Sequence, residues 1–165
     1  MIYNMLNERN KIKFQQMNKK DLNESLIVAC DSGKLDIVKY LLTSSDLKEN
    51  AHIHNNNDEA LQITCWGGYL DIIKYLLTSP DLISHANIHA NEDSSFINVC
   101  EENYFDVVEY LILNYKIKKT NTIDNYLNKT KKEEIIQMFE KRDLEEKLHY
   151  ELKDNCSTII PKIKL

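Results

Sequence analysis

Residues 36–47 read DIVKYLLTSSDL and residues 71–82 read DIIKYLLTSPDL, so nearly the same twelve residues recur 35 positions later. The similarity extends to longer segments and to a third copy, all aligned without gaps: ESLIVACDSGKLDIVKYLL from Glu24, EALQITCWGGYLDIIKYLL from Glu59 and SSFINVCEENYFDVVEYLI from Ser94. A fixed period of this length is typical of stacked repeats, in which each unit buries its apolar face on the next. The sequence therefore predicts a repeat array.

Each unit is predicted to contain two helices, of which the first is short. Leu26, Ala29 and Cys30 lie at positions i, i+3 and i+4, which form one stripe along a helix. The first helix should end where a residue tolerates the left-handed backbone conformation. The three units have these residues there: Gly33, Gly68 and Asn103.

The second helix is predicted from the segment LDIVKYLL and its copies. Its buried stripe comprises Leu35, Val38, Leu41 and Leu42, with Tyr40 beside them. A carboxylate in the first turn suits the positive end of a helix, and the three units supply Asp36, Asp71 and Asp106. Aspartate is also a favoured N-cap residue, so we expect Asp58 and Asp93 to cap the first helices of the second and third units.

These segments resemble the ankyrin repeat. The resemblance rests on SLIVACDSGKLDIVKYLL and its two copies, followed by AHIH and ANIH, and covers residues 22–118. It implies an all-α fold, an ankyrin-like helix-turn-helix repeat solenoid with three clear repeats and degenerate terminal caps. Such repeats resemble the divergent arrays of giant viruses, phages and intracellular bacteria. What the resemblance implies functionally is a non-catalytic protein–protein interaction module that binds through its concave face and loop tips.

The chain also departs from the family pattern. The usual Thr-Pro-Leu-His start of each repeat is absent, so the hydrogen bonds that this motif makes between neighbouring repeats should be missing. The finger hairpin is about three residues short, and about five residues follow the second helix instead. We expect stubby fingers and a longer outer edge.

The resemblance divides the chain into four parts. Residues 1–21 form an N-terminal cap, in which IYNML at 2–6 is in phase with IVKYL at 37–41. The three repeats span about 22–56, 57–91 and 92–118, residues 119–154 form a degenerate fourth repeat with a long capping helix, and residues 155–165 form a tail.

Charge is unevenly distributed and bears on the partner. The net charge is −5 overall, but residues 21–112 hold four lysines and sixteen acidic side chains. An acidic body repels phosphate, which disfavours nucleic acid, and it favours a protein partner with a basic patch unless it serves solubility alone. The sequence has no run of 18 apolar residues and no signal-peptide pattern. We therefore expect a cytoplasmic location, or the host cytoplasm if the protein is an effector. We expect no membrane partner.

No residue pattern indicates catalysis, a metal or a cofactor. Cys30, Cys65 and Cys100 share one repeat position and are expected to be buried core residues, and Cys156 a free thiol in a polar tail. The His residues at 52, 54, 85 and 89 are expected to pack in the loops and bond to neighbouring backbone, although His52 and His54 form an H-x-H pair. Thiol or metal chemistry is the remote alternative, because phosphate-binding and hydrolase motifs are absent from the sequence.

Trp66 is the strongest candidate for a binding residue. It lies at the end of a first helix, where ankyrin proteins usually face the concave groove, and Trp is a common anchor of protein interfaces. The alternative is that its ring packs down onto Tyr69 or Tyr104.

Glu92, Asp93, Glu101 and Glu102 form either an acidic end of the groove or a solvated face, and the loop tips are either contacts or ordinary turns. The candidate partner-binding residues are Asp31, Asn56, Gln62, Trp66, Tyr69, Asn91, Glu92, Glu101, Glu102 and Tyr104.

The C-terminal segment KKEEIIQMFEKRDLEEKLHYELKD is predicted to form one long helix. A partial apolar stripe comprises Ile135, Ile136, Phe139, Leu144, Leu148 and Leu152. The helix either caps the stack or pairs with a second copy, so the chain is a monomer or a homodimer. In the second case the protein is a self-assembling structural protein. The tail CSTIIPKIKL is apolar and β-prone, and either docks on the stack or forms a sticky edge.

Overall fold

The structure of the chain is a computed structural model that describes residues 7–159, with side-chain environments for residues 7–153. The described residues form helices joined by turns and contain no strand. The chain divides into two compact units, of which the first ends at Val107 and the second begins at Val108. The predicted half-repeat at residues 2–6 lies outside the described residues.

The helices of the described residues follow the predicted repeat. Their bounds are α1 Glu8–Gln15, α2 Lys19–Asp31, α3 Leu35–Thr43, α4 Glu59–Trp66, α5 Leu70–Thr78, α6 Ala90–Glu101, α7 Phe105–Glu109, α8 Asn121–Thr130 and α9 Glu133–Ile159. A π-helical segment, Tyr110–Asn114, continues α7. The all-α solenoid of helix pairs predicted from the 35-residue period is confirmed.

In the first unit, the first helices of the repeats pack side by side. Helix α4 contacts both α2 and α6, and each of α2 and α4 also packs on its own second helix. The contacts between α2, α4 and α6 bury the stripe that includes Leu26, Leu61 and Phe96, which occupy one repeat position. The predicted second-helix stripe is confirmed for Val38 and Leu41, which are fully buried, whereas Leu35 and Leu42 are half-buried.

The predicted ends of the first helices are confirmed. Gly33 and Gly68 have φ of +64° and +67°, and Asn103 has φ of +58°. The left-handed residue turns the chain into the second helix, whose first turn carries the predicted aspartate in each unit. The turn geometry thus depends on residues that adopt positive φ at little cost.

The predicted capping of the first helices is confirmed in position for Asp58 but not in its hydrogen bond. Asp58 is the N-cap residue of α4, but its carboxylate makes no cap hydrogen bond, and α6 follows His89 rather than Asp93. The physical reason is that both aspartates adopt left-handed backbone, with φ of +61° and +64°, within runs of three left-handed residues. Regular helical backbone in α6 begins only after Asp93.

In each of the first two repeats, a hydrogen bond joins the start of the first helix to the loop that follows the second helix. The backbone N–H of His52 donates to Asn23 Oδ1 at 2.7 Å, and the backbone N–H of Asn87 donates to Asp58 Oδ1 at 3.2 Å. Asn23 and Asp58 are 35 positions apart, as are His52 and Asn87. A side-chain oxygen at this position therefore ties the start of the first helix to the end of its own repeat.

The second unit holds α8, α9 and the π-helical segment. Ile123 and Leu127 of α8 and Ile135 and Phe139 of α9 are buried. Arg142 of α9 donates to the carbonyl oxygen of Ile117 at 2.7 Å and lies over the Phe139 ring. These contacts hold the first half of α9 against its own unit.

The predicted long C-terminal helix is confirmed, and it is longer than expected. Helix α9 continues to Ile159 and so includes the first residues of the segment described above as a β-prone tail. Helix propagation adds a hydrogen bond for each residue that joins, which outweighs the local β-propensity of these residues. Residues 160–165 lie outside the described part.

Candidate functional site

The exposed surface of the first helices, here called the first-helix face, is the candidate site. On α2 the buried positions are Leu22, Leu26, Ala29 and Cys30, so the opposite side faces outward. The repeat places equivalent positions of α4 and α6 beside it. The outward-facing positions are Glu24, Val28 and Asp31 on α2, Glu59, Ile63 and Trp66 on α4, and Asn98 and Glu101 on α6, with the C-cap residues Ser32, Gly67 and Glu102.

Trp66 is exposed at the end of α4. Its side chain is 55% exposed, and among the described residues no aromatic ring or cation stacks on it. Its ring therefore does not stack on the ring of Tyr69 or Tyr104. Its equivalents in the neighbouring repeats, Asp31 and Glu101, are also exposed. An aromatic ring thus lies in a row between two carboxylates.

Seven of the ten candidate residues fall into two groups at opposite ends of the first helices. Asn56, Asn91 and Glu92 precede α4 and the regular part of α6, whereas Trp66 and Glu101 lie at the helix C-termini. Eight residues of helix separate the ends of α4, a length of about 12 Å. The structure therefore brings Asp31, Trp66, Glu101 and Glu102 into one region, and Asn56, Asn91 and Glu92 into another, with Gln62 between the groups.

The loop tips are held by hydrogen bonds. Asn56 Nδ2 donates to Glu59 Oε2 at 2.9 Å, and Asn91 Nδ2 donates to Gln62 Oε1 at 3.1 Å. Gln62 Nε2 donates in turn to the carbonyl oxygen of Asn57 at 2.7 Å. Gln62 thus links its own loop tip to that of the next repeat.

Tyr69 and Tyr104 are half-buried packing residues. A Cβ atom added to Gly33 would lie 2.6 Å from the Tyr69 ring, and one added to Gly68 would lie 2.8 Å from the Tyr104 ring. The Tyr69 hydroxyl also donates to the carbonyl oxygen of Asp31 at 3.2 Å. Each tyrosine therefore packs on the turn of the preceding repeat, a structural role that the candidate list did not separate from binding.

Asp93 cannot belong to an acidic end of the groove, because it is buried. Its Oδ1 lies 2.5 Å from His89 Nδ1, and the equivalent pair, Asp58 and His54, is separated by 2.8 Å. The expectation that the His residues bond to backbone is wrong for these two rings, whose partners are carboxylates. It is confirmed for His85, whose Nε2 lies 2.9 Å from the carbonyl oxygen of Ser79.

The repeat cysteines are buried and free, as predicted. Cys30, Cys65 and Cys100 are fully buried. Burial raises the pKa of the Cys30 thiol to about 11 and raises that of Cys65 further. Both thiols are therefore protonated at neutral pH, which is unfavourable for nucleophilic chemistry. In the part of the chain with described side chains, no three His, Cys, Asp or Glu residues are arranged to hold a metal ion. The side chain of Cys156 lies outside that part.

Sequence reasoning missed Val28, which is 64% exposed on α2. Val28 lies one turn before Asp31 and also lines a groove of about 640 Å³ beside α1, with Phe14, Met17, Ala29 and Ile37 as further apolar lining. The available signal was its spacing, because an aliphatic residue two positions after Leu26 is off the buried stripe. With Ile63 and Trp66, Val28 gives the first-helix face an apolar centre.

The second half of α9 exposes the leucines of the predicted stripe. Leu144, Leu148 and Leu152 are 68%, 55% and 57% exposed, whereas Ile135 and Phe139 are buried. The stripe is therefore covered only in its first half. No helix within the described residues has the length and apolar character needed to cross a membrane.

The repeats match a known protein family. A family model of ankyrin repeats matches residues 2–83 and 26–124, in three copies, and so covers more than half of the chain. No curated protein and no solved structure shows significant similarity to the chain.

Proposed function

Because this chain belongs to the ankyrin-repeat family, whose repeats are generally protein–protein interaction modules, we propose that it binds a protein partner through the first-helix face. The observation that carries the proposal is the exposure of Trp66 between Asp31 and Glu101. Tryptophan buries a large area at little conformational cost and is enriched among residues that dominate binding energy. The proposed partner surface is basic, and the chain acts without a catalytic step.

The charge of the first-helix face supports a basic partner. Glu24, Asp31, Glu101 and Glu102 are exposed on it, and the basic residues of α2, α4 and α6 are Lys19 and Lys20 in the first turn of α2, where Lys20 pairs with Glu24. Complementary charge raises the rate of encounter and excludes partners of the wrong sign. The divergent character of the repeats favours a narrower version of the proposal, in which the chain is an effector or inhibitor that blocks a host or defence protein in the cytoplasm.

The proposal is tested by affinity capture from native or host cell extract, followed by mass spectrometry. Wild type is compared with Trp66→Ala and with Tyr150→Ala, a control that removes an aromatic side chain 68% exposed on α9. Circular dichroism checks that all three are folded. A protein retained by wild type and Tyr150→Ala but lost with Trp66→Ala is expected, and its identity shows whether it belongs to a host or defence system. Retention by all three would remove Trp66 from the interface.

A second candidate function is self-assembly through α9. The exposed Leu144, Leu148 and Leu152 favour it, because an apolar helix face in water is stabilised when a second helix covers it. Light scattering after size exclusion distinguishes the two functions. A dimer of wild type that becomes a monomer in Leu148→Lys supports self-assembly, whereas a monomeric wild type leaves partner binding as the function.

A further inference from the structure

The first-helix face combines an apolar centre with free carboxylates. Val28, Ile63 and Trp66 supply the centre, and Asp31, Glu101 and Glu102 lie exposed beside it. Among the described residues, no cation pairs with these three carboxylates, although other acidic side chains of the chain do form ion pairs. The carboxylates are therefore available to a cation from outside the chain.

We infer that Trp66 and its flanking carboxylates recognise an arginine side chain of the partner. This inference rests on the proposed function and names the chemistry of the same face. A guanidinium group is planar, so it stacks on an indole ring while its edges donate hydrogen bonds to carboxylates. An ammonium group makes the two interactions together less favourably, because it is compact and more strongly hydrated.

The repeat geometry places the three groups at suitable separations. Helix α4 packs between α2 and α6, and packed helices lie about 8–10 Å apart. Asp31, Trp66 and Glu101 occupy the same position on the three helices, so a carboxylate flanks the indole on each side. A guanidinium that stacks on the ring lies about 6 Å or less from the ring centre, so the longer Glu101 side chain can reach it. The partner segment that carries this arginine can then continue toward Asp31.

The unoccupied indole supports the same conclusion. Trp66 neither donates a hydrogen bond nor stacks on a ring within the described residues, whereas Phe139 lies beneath Arg142 and the Tyr75 ring beneath Lys39. The chain thus covers other aromatic rings with its own cations and leaves this ring uncovered. The acidic surroundings select a cation as the occupant.

The test uses two capped peptides of equal charge, hexa-arginine and hexa-lysine. Trp66 is the single tryptophan of the chain, so its emission reports binding at this position alone. Titration at low ionic strength is expected to change Trp66 emission and to give at least about threefold tighter binding of hexa-arginine. Equal affinity for the two peptides would overturn the inference.

Matched variants distinguish recognition of arginine from non-specific electrostatic attraction between the cationic peptides and the acidic chain. The double variant Asp31→Asn, Glu101→Gln is compared with Glu49→Gln, Asp81→Asn, which removes the same charge from exposed positions outside the first helices. The first variant should lose the preference for arginine, and the second should keep it. The same preference in both variants would remove the flanking carboxylates from the inference.

These results are distinguishable from a failure of the proposed function. A captured partner that depends on Trp66, together with no preference for hexa-arginine, refutes arginine recognition and leaves protein binding in place. A preference for hexa-arginine that is lost in Asp31→Asn, Glu101→Gln supports the inference even where capture from one particular extract yields no partner.

Discussion

Replacement of Asp58 tests whether this side chain ties the start of α4 to the loops on either side of its repeat. Asp58 is buried, and its Oδ1 lies 2.8 Å from His54 Nδ1 and accepts the N–H of Asn87 at 3.2 Å. Asp58→Ala removes hydrogen bonds to a charged group, which contribute about 1.5–3 kcal/mol, and places alanine at a left-handed φ, which costs about 1–2 kcal/mol. We expect the free energy of unfolding to fall by about 3 kcal/mol.

Asp58→Asn provides the matched comparison. Asparagine keeps the Oδ1 acceptor and tolerates the left-handed region, and Asn23 already fills the equivalent position in the first repeat. We expect this variant to lose no more than about 1 kcal/mol. Urea unfolding followed by circular dichroism measures both variants, with Asp81→Ala as an exposed control. An Asp58→Ala variant as stable as the control, or an Asp58→Asn variant as unstable as Asp58→Ala, would refute the role of the acceptor.

Three further predictions concern the turns, the buried thiols and α9. Gly68→Ala should destabilise the fold by at least about 1–2 kcal/mol, since φ is +67° and the new Cβ would meet the Tyr104 ring, whereas Asn103→Gly should not destabilise it; urea unfolding measures both. Burial raises the pKa of Cys30 from 9.0 to about 11, so the unfolded chain loses its thiol proton first. The contribution of this thiol to the free energy of unfolding is therefore fully present below about pH 9 and falls by about 1.4 kcal/mol per pH unit up to about pH 11. Urea unfolding across this pH range should show that the free energy of unfolding falls less steeply with pH in Cys30→Ala than in wild type. An unchanged dependence on pH would contradict the raised pKa of Cys30. Leu148→Lys should change the unfolding free energy by less than about 0.5 kcal/mol because Leu148 is exposed, and a larger loss in urea unfolding would mean that this face is packed.

The features predicted correctly from sequence depend on local patterns. The buried stripe of Leu26, Ala29 and Cys30 follows from helical spacing, and the helix ends at Gly33 and Gly68 follow from conformational freedom. Both are properties of a few adjacent residues, repeated three times. The family assignment rests on the same repetition.

The features that could not be predicted from the sequence depend on contacts between residues that are far apart in the chain. Asp58 was predicted as a helix cap, but the partners of its carboxylate are a loop histidine and the backbone N–H of Asn87, 29 positions later. Val28 was overlooked because its exposure depends on how α1 and α2 pack. The separation of Glu92 from Glu101 was in principle predictable, since eight helical residues carry the chain about 12 Å.

Hydrogen–deuterium exchange on the complex with a captured partner tests the central claim, binding through the first-helix face, most directly. Backbone protection at the C-terminal ends of α2, α4 and α6, around Asp31, Trp66 and Glu101, is the expected result. Protection confined to α9 around Leu144–Leu152, with unchanged exchange in the first helices, would contradict the claim.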